Sequence, residues 1–145
     1  MINSVCLCLT FKCDLACRHC FVSAGPERTE EMSNEQIATA IDNSYKNVNR
    51  MWFSGGEPTV AMNKLLFGLH YAKDKKLQYG FPDKICVQTN GNFAKTKEDA
   101  IKYLALFHKN GANEIDITSN DVFHFEQMDQ NIPERLAKLA NNMGI

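Results

Sequence analysis

The chain carries almost no excess charge of either sign: 16 Lys and Arg stand against 17 Asp and Glu in 145 residues, a net of −1. That absence removes the global basic field expected of a nucleic-acid binder or an anionic-membrane binder. No apolar run approaches the roughly 20 residues of a membrane-spanning helix. Residues 1–10 show neither a positively charged n-region nor a small-residue cleavage site, so no secretory signal is read and a cytoplasmic protein is expected. Fixed-period repeats, low-complexity tracts and Pro/Ser-rich linkers are also missing, which excludes solenoids and tethered modules. With 44% hydrophobic and 23% charged residues, the composition is that of one globular domain long enough to bury a core without staples.

Cysteine is what the chain does have, six in all. In a reducing compartment cysteines serve as metal ligands or free thiols rather than disulfides. Three of them are scattered along strand-like runs as Cys6, Cys8 and Cys86. The other three are packed into one loop as Cys13, Cys17 and Cys20.

Around them the pattern is strand, turn, helix, repeated. Val5, Leu7, Leu9 and Phe11 alternate with Cys6, Cys8 and Thr10, the period of a strand. Ser33-Asn34-Glu35-Gln36 fits a capping box, and Ile37, Ala40, Ile41 and Val48 follow near one helical face. A short strand is predicted over 51–54, then a helix over roughly 63–77 with Leu65, Leu66, Leu69 and Ala72 as its stripe. A strand over 84–89 leads to a helix capped by Thr96, carrying Ile101, Leu104 and Ala105, with Gly111 at its C-cap. The fourth strand is 114–118, and Pro133 opens a last helix bearing Leu136, Leu139, Ala140 and Met143.

Alternating strands and helices predict an α/β fold with a parallel sheet of about four βα units joined by right-handed crossovers. Sites in such sheets lie at the carboxyl ends of the strands. Four polar or glycine-rich turns fall there: the Cys13 loop, Gly55-Gly56-Glu57-Pro58, Asn90-Gly91 and Ser119-Asn120-Asp121.

Cys13 to Cys20 reads C-x3-C-x2-C. Three thiolates in so short a loop can wrap one compact cofactor, and thiolates are the soft ligands that iron–sulfur clusters and zinc select. Three ligands would leave one iron of a four-iron cluster open. A structural zinc site is the alternative, with His19, Cys6, Cys8 or Cys86 as fourth ligand, although zinc loops more often use paired C-x2-C modules and no second one occurs.

The run Leu9 to Phe21 resembles the cluster loop of radical S-adenosylmethionine (radical SAM) enzymes, and Gly55-Gly56-Glu57-Pro58 resembles that family's methionine-binding turn. The resemblance covers nearly the whole chain, 1–145, as one core domain. It implies that Cys13, Cys17 and Cys20 hold a [4Fe–4S] cluster whose open iron is chelated by S-adenosylmethionine. It implies that one-electron reduction cleaves this cofactor to methionine and a 5′-deoxyadenosyl radical, which takes a hydrogen atom from substrate. His19 then lies beside the adenine. Gly55, Gly56 and Glu57 receive the methionine ammonium, Asn90 stands at the cofactor's edge, and Ser119, or else Asp121 or Thr118, contacts the ribose. Asp116 shares a strand face with Thr118.

The same resemblance implies an external electron donor such as flavodoxin or ferredoxin. The Cys-Arg-His-Cys-Phe run is similar to members that modify peptides or proteins. An activase of a glycyl-radical enzyme and a cluster carrier without turnover are the other readings. The family's usual core is a six-unit partial barrel; four units here lead us to expect a partial, truncated TIM-like barrel, either a piece of a larger enzyme or a compact member. Neither nucleic acid nor membrane is expected as a partner.

Overall fold

The computed structural model of the chain is described over residues 3–118 and 121–145. Its four strands, β1 (Ser4–Cys8), β2 (Arg50–Ser54), β3 (Lys84–Thr89) and β4 (Glu114–Ile117), form one sheet in the order β1-β2-β3-β4. Every neighbouring pair is parallel, with Leu7 opposite Phe53, Phe53 opposite Val87 and Val87 opposite Ile115. Between them run α1 (Asn34–Ser44), α2 (Met62–Tyr79) and α3 (Lys97–Lys109); α4 (Val122–Phe125) and α5 (Ile132–Met143) follow β4. The expected α/β fold of four parallel βα units, a partial TIM-like barrel core, is what the chain adopts.

The local signals explain the boundaries. Gln36 N–H donates to Ser33 Oγ at 3.1 Å while Ser33 N–H donates to Gln36 Oε1 at 2.7 Å, the reciprocal pair that starts α1. Thr96 Oγ accepts from Asp99 N–H at 3.0 Å and starts α3. Leu7, Met51, Phe53, Ile85 and Val87, on the helix-facing side of the sheet, pack with Ile37, Ile41, Leu65 and Leu69 into one buried cluster. Burying each such side chain contributes about 1.5–3 kcal/mol.

Three expectations shift. The first strand stops at Cys8 instead of running to Phe11, because Phe11 N–H turns to Glu30 O at 3.0 Å and Leu9 O accepts from Met32 N–H at 2.8 Å. The α3 stripe is Ala100, Leu104 and Phe107, not Ile101, Leu104 and Ala105. Spacing of four and three residues puts the first set over the sheet, whereas Ile101 lies about 100° round the axis and is 41% exposed. The C-cap of α3 is Asn110, and Gly111 takes the positive φ of 115° one residue later.

Candidate cluster and cofactor site

The loop from Cys13 to Cys20 leaves the sheet at the carboxyl end of β1 and is closed at its base by Cys13 N–H to Gly25 O at 3.1 Å and Gly25 N–H to Phe11 O at 3.2 Å. The turn after β2 is stitched to the same stretch: Gly56 N–H donates to Thr10 O at 2.7 Å and Glu57 N–H to Lys12 O at 3.0 Å. Only glycine permits this approach. A Cβ on Gly55 would lie 2.3 Å from Thr10 O, and one on Gly56 would lie 2.4 Å from Lys12 O. Gly55 also holds a φ of 151° that L side chains rarely adopt.

Cys13, Cys17, His19, Cys20, Gly55, Gly56, Asn90 and Thr118 all line one cavity of about 460 Å³, within the range of about 300–1,000 Å³ typical of small-molecule sites. Its thiols are supplied with donors. Leu15 N–H points at Cys13 Sγ at 3.4 Å, Ala24 N–H at Cys20 Sγ at 3.3 Å, and Asn90 Nδ2 stands 3.9 Å from Cys13 Sγ. Burial pushes the Cys13 thiol up to about 12 and raises that of Cys17 as well, so thiolates here require a cationic partner. Three soft donors on one cavity, two with N–H groups already aimed at sulfur, fit an iron–sulfur cluster.

Two further segments fasten the loop. Asn90 Nδ2 donates to Asp14 Oδ1 at 2.9 Å and Asn92 Nδ2 to Asp14 Oδ2 at 2.7 Å. From the far end of the chain, Gln127 Oε1 accepts from Ala16 N–H at 2.7 Å and Glu126 pairs with Arg18 at 2.6 Å. Asp14, Asn92 and Gln127 carry no motif; their partners are 76 or more residues away, so nothing local in the sequence reveals them.

Glu57 closes the turn from within. It is 1% exposed and its carboxylate turns into the protein, accepting from Thr59 N–H (3.1 Å), Thr59 Oγ1 (2.7 Å), Thr89 Oγ1 (2.8 and 2.9 Å) and Asn90 N–H (2.8 Å). Burial pushes its carboxyl above the ordinary range, against the pull of those donors. With these donors on its oxygens, Glu57 ties the end of β2 to the end of β3.

At the open side, His19 is exposed and stacks on Phe123 with centroids 4.7 Å apart, while His124 meets it edge-on at 5.0 Å. Asp121 caps α4 by accepting from Phe123 and His124 N–H at 3.0 and 3.1 Å, and its other oxygen is 2.5 Å from His124 Nδ1. Donor atoms of His19, Asp121 and His124 lie within 4.8 Å of one another. Ser119, the first choice for the ribose contact, lies outside the described residues.

A parallel βα core with its polar turns gathered on the carboxyl rim defines a barrel-type cofactor protein. The family model of the radical SAM superfamily matches residues 7–122, from within β1 to the start of α4, and the chain belongs to that superfamily. Its members in general use a [4Fe–4S] cluster, S-adenosylmethionine and a reductant. No curated protein matches the chain. Among the described residues, no helix is long and apolar enough to cross a membrane.

Proposed function

We propose that this chain holds a [4Fe–4S] cluster on Cys13, Cys17 and Cys20 and binds S-adenosylmethionine over it to act on a peptide or protein substrate. The observation that carries the reading is the backbone bonding of the Gly55-Gly56-Glu57 turn to Thr10 and Lys12, which makes the cysteine loop and the turn one unit. When bound, the cluster and S-adenosylmethionine supply a 5′-deoxyadenosyl radical that removes a hydrogen atom from substrate.

The chain's own residues do the positioning. Leu15 and Ala24 N–H groups stabilise thiolate charge at Cys13 and Cys20. Asp14, gripped by Asn90 and Asn92, fixes the loop's height above the strands. Gly55 and Gly56 bring backbone to the cavity wall for the methionine end of the cofactor. His19 and Phe123 offer flat faces to the adenine, and the ribose contact is assigned to Ser119 or Asp121. Glu57 acts as a positioning residue that locks the turn to Thr89 and Asn90. An external one-electron donor of the flavodoxin or ferredoxin type completes the system, since the sequence contains one C-x3-C-x2-C loop.

The test is anaerobic reconstitution followed by reduction and chromatographic assay of 5′-deoxyadenosine. The expected result is its formation from S-adenosylmethionine by the wild type and its loss in Cys13→Ala, Cys17→Ala and Cys20→Ala. A cluster-loaded chain that leaves S-adenosylmethionine intact contradicts the reading and favours a carrier.

A further inference from the structure

Beneath the cysteine loop, the inner face of the sheet carries a hydrogen-bonded chain across β2, β3 and β4. Ser54 Oγ donates to Gln88 Oε1 at 2.7 Å, and Gln88 Nε2 donates to Asp116 Oδ2 at 3.1 Å. All three line the cavity.

This chain fixes the orientation of the Gln88 amide. The reverse orientation would set its carbonyl oxygen against the Asp116 carboxylate, two acceptors facing each other. One N–H of Gln88 and Oδ1 of Asp116 then remain without a hydrogen-bond partner among the described residues. Gln88, which is exposed, is directly opposite Asp116 in the register, so both groups belong to side chains on one face of the sheet. Both lie below the rim: Gln88 is two residues before Asn90, about 6–7 Å down the strand, so the roles assigned to the cluster and its cofactor do not use them.

A donor beside an acceptor is complementary to a group that presents an acceptor beside a donor. Such a group is the edge of an amide: a primary carboxamide, or the C=O and N–H of one residue in an extended peptide. A carboxylate would place a second negative charge against Asp116 and offers it no proton. An ammonium has no acceptor for the Gln88 N–H, and a hydroxyl must serve both partners through one oxygen, whereas an amide edge meets the two with separate atoms. Arg50, lower on the same face, is already paired with Glu114 at 2.9 Å. We propose that Gln88 and Asp116 anchor the substrate of this chain through an amide edge, with Ser54 as the positioning residue that orients Gln88. This rests on the radical SAM reading for its placement beneath the cofactor, and it narrows the substrate to an amide-bearing molecule.

The test is ligand-observed saturation-transfer NMR on the anaerobically reconstituted full chain, with acetamide as the carboxamide probe and N-acetylalanine N′-methylamide as the peptide probe. Methyl acetate is the control that cannot donate. At least one amide probe is expected to bind, with methyl acetate at least about 10-fold weaker, since a hydrogen bond to a charged group contributes about 1.5–3 kcal/mol and 1.4 kcal/mol is tenfold. Asp116→Leu and Gln88→Glu should each weaken that probe by about 10-fold or more, with far-UV circular dichroism checking the fold; two variants guard against one that fails to fold. Whichever probe responds identifies the source of the amide. Absence of binding by both probes, or binding that both variants leave unchanged, overturns the inference. A chain that cleaves S-adenosylmethionine yet ignores the probes fails this inference alone. One that binds them through Gln88 and Asp116 without cleaving the cofactor fails the radical SAM activity instead.

Discussion

The two faces of the same four strands have opposite characters. On the helix side, Leu7, Met51, Phe53, Ile85 and Val87 are at most 4% exposed and belong to one hydrophobic cluster. On the inner side, the alternate residues are Cys6, Cys8, Trp52, Ser54, Gln88 and Asp116, most of them lining a cavity. Period-two alternation therefore divides each strand between two tasks. One face supplies the free energy that holds the sheet. The other is released from packing and can carry polar groups and thiols at fixed height below the cysteine loop.

The sharpest way to break this division is to truncate one residue on each face. Phe53→Ala, at a fully buried site, should cost about 3–5 kcal/mol in urea unfolding, whereas Gln88→Ala should cost under about 1 kcal/mol. Equal costs would mean that the inner face is also a packed core.

Next comes the buried clamp between the faces. Glu57→Gln sets an NH2 group against backbone N–H donors of Thr59 and Asn90 and should cost about 1–3 kcal/mol. Because the Glu57 carboxyl is raised by burial, the folded chain retains that proton where the unfolded chain has lost it. Its contribution is fully present below the unfolded carboxyl range and declines as pH rises through the folded one. The wild-type advantage over Glu57→Gln should thus narrow from acid to neutral pH in paired urea titrations. An advantage that widens instead would show that the donated hydrogen bonds outweigh burial.

A chemical probe divides the inner face itself, its rim end from its base, without mutation. Cys8 is exposed on the inner face, while Cys86 is fully buried and its thiol is pushed up to about 12 by burial. Iodoacetamide at pH 8, read by peptide mass mapping, should label Cys8 in the native chain and Cys86 only after unfolding. The smallest effect is expected at Ile101, where Ile101→Ala at a 41% exposed position should change stability by no more than about 0.5 kcal/mol.

That last position marks where sequence reading stops. The caps at Ser33 and Thr96, the four strands and the two rim motifs are local, written within a few residues of where they act, and they were legible. The facing of α3 was not, because Ile101 and Ala105 make as good a stripe as Ala100 and Phe107 until the sheet fixes the helix rotation. For Glu57 the family resemblance implies a cofactor contact; the bonds of its carboxylate to Thr89 and Asn90 on the next strand carry no local signal. The clamps on Asp14 and Ala16 and the Ser54-Gln88-Asp116 chain join residues from separate strands or loops, so they exist only once the topology does. Strand alternation marks Gln88 and Asp116 as facing the same way; it does not reveal that they touch.

The most direct measurement is electron paramagnetic resonance of the anaerobically reconstituted, reduced chain with and without S-adenosylmethionine. The account expects about four irons per chain and a cluster signal that changes when S-adenosylmethionine is added, with both lost in Cys17→Ala. A chain that retains zinc on these cysteines, or a cluster signal indifferent to S-adenosylmethionine, would contradict it.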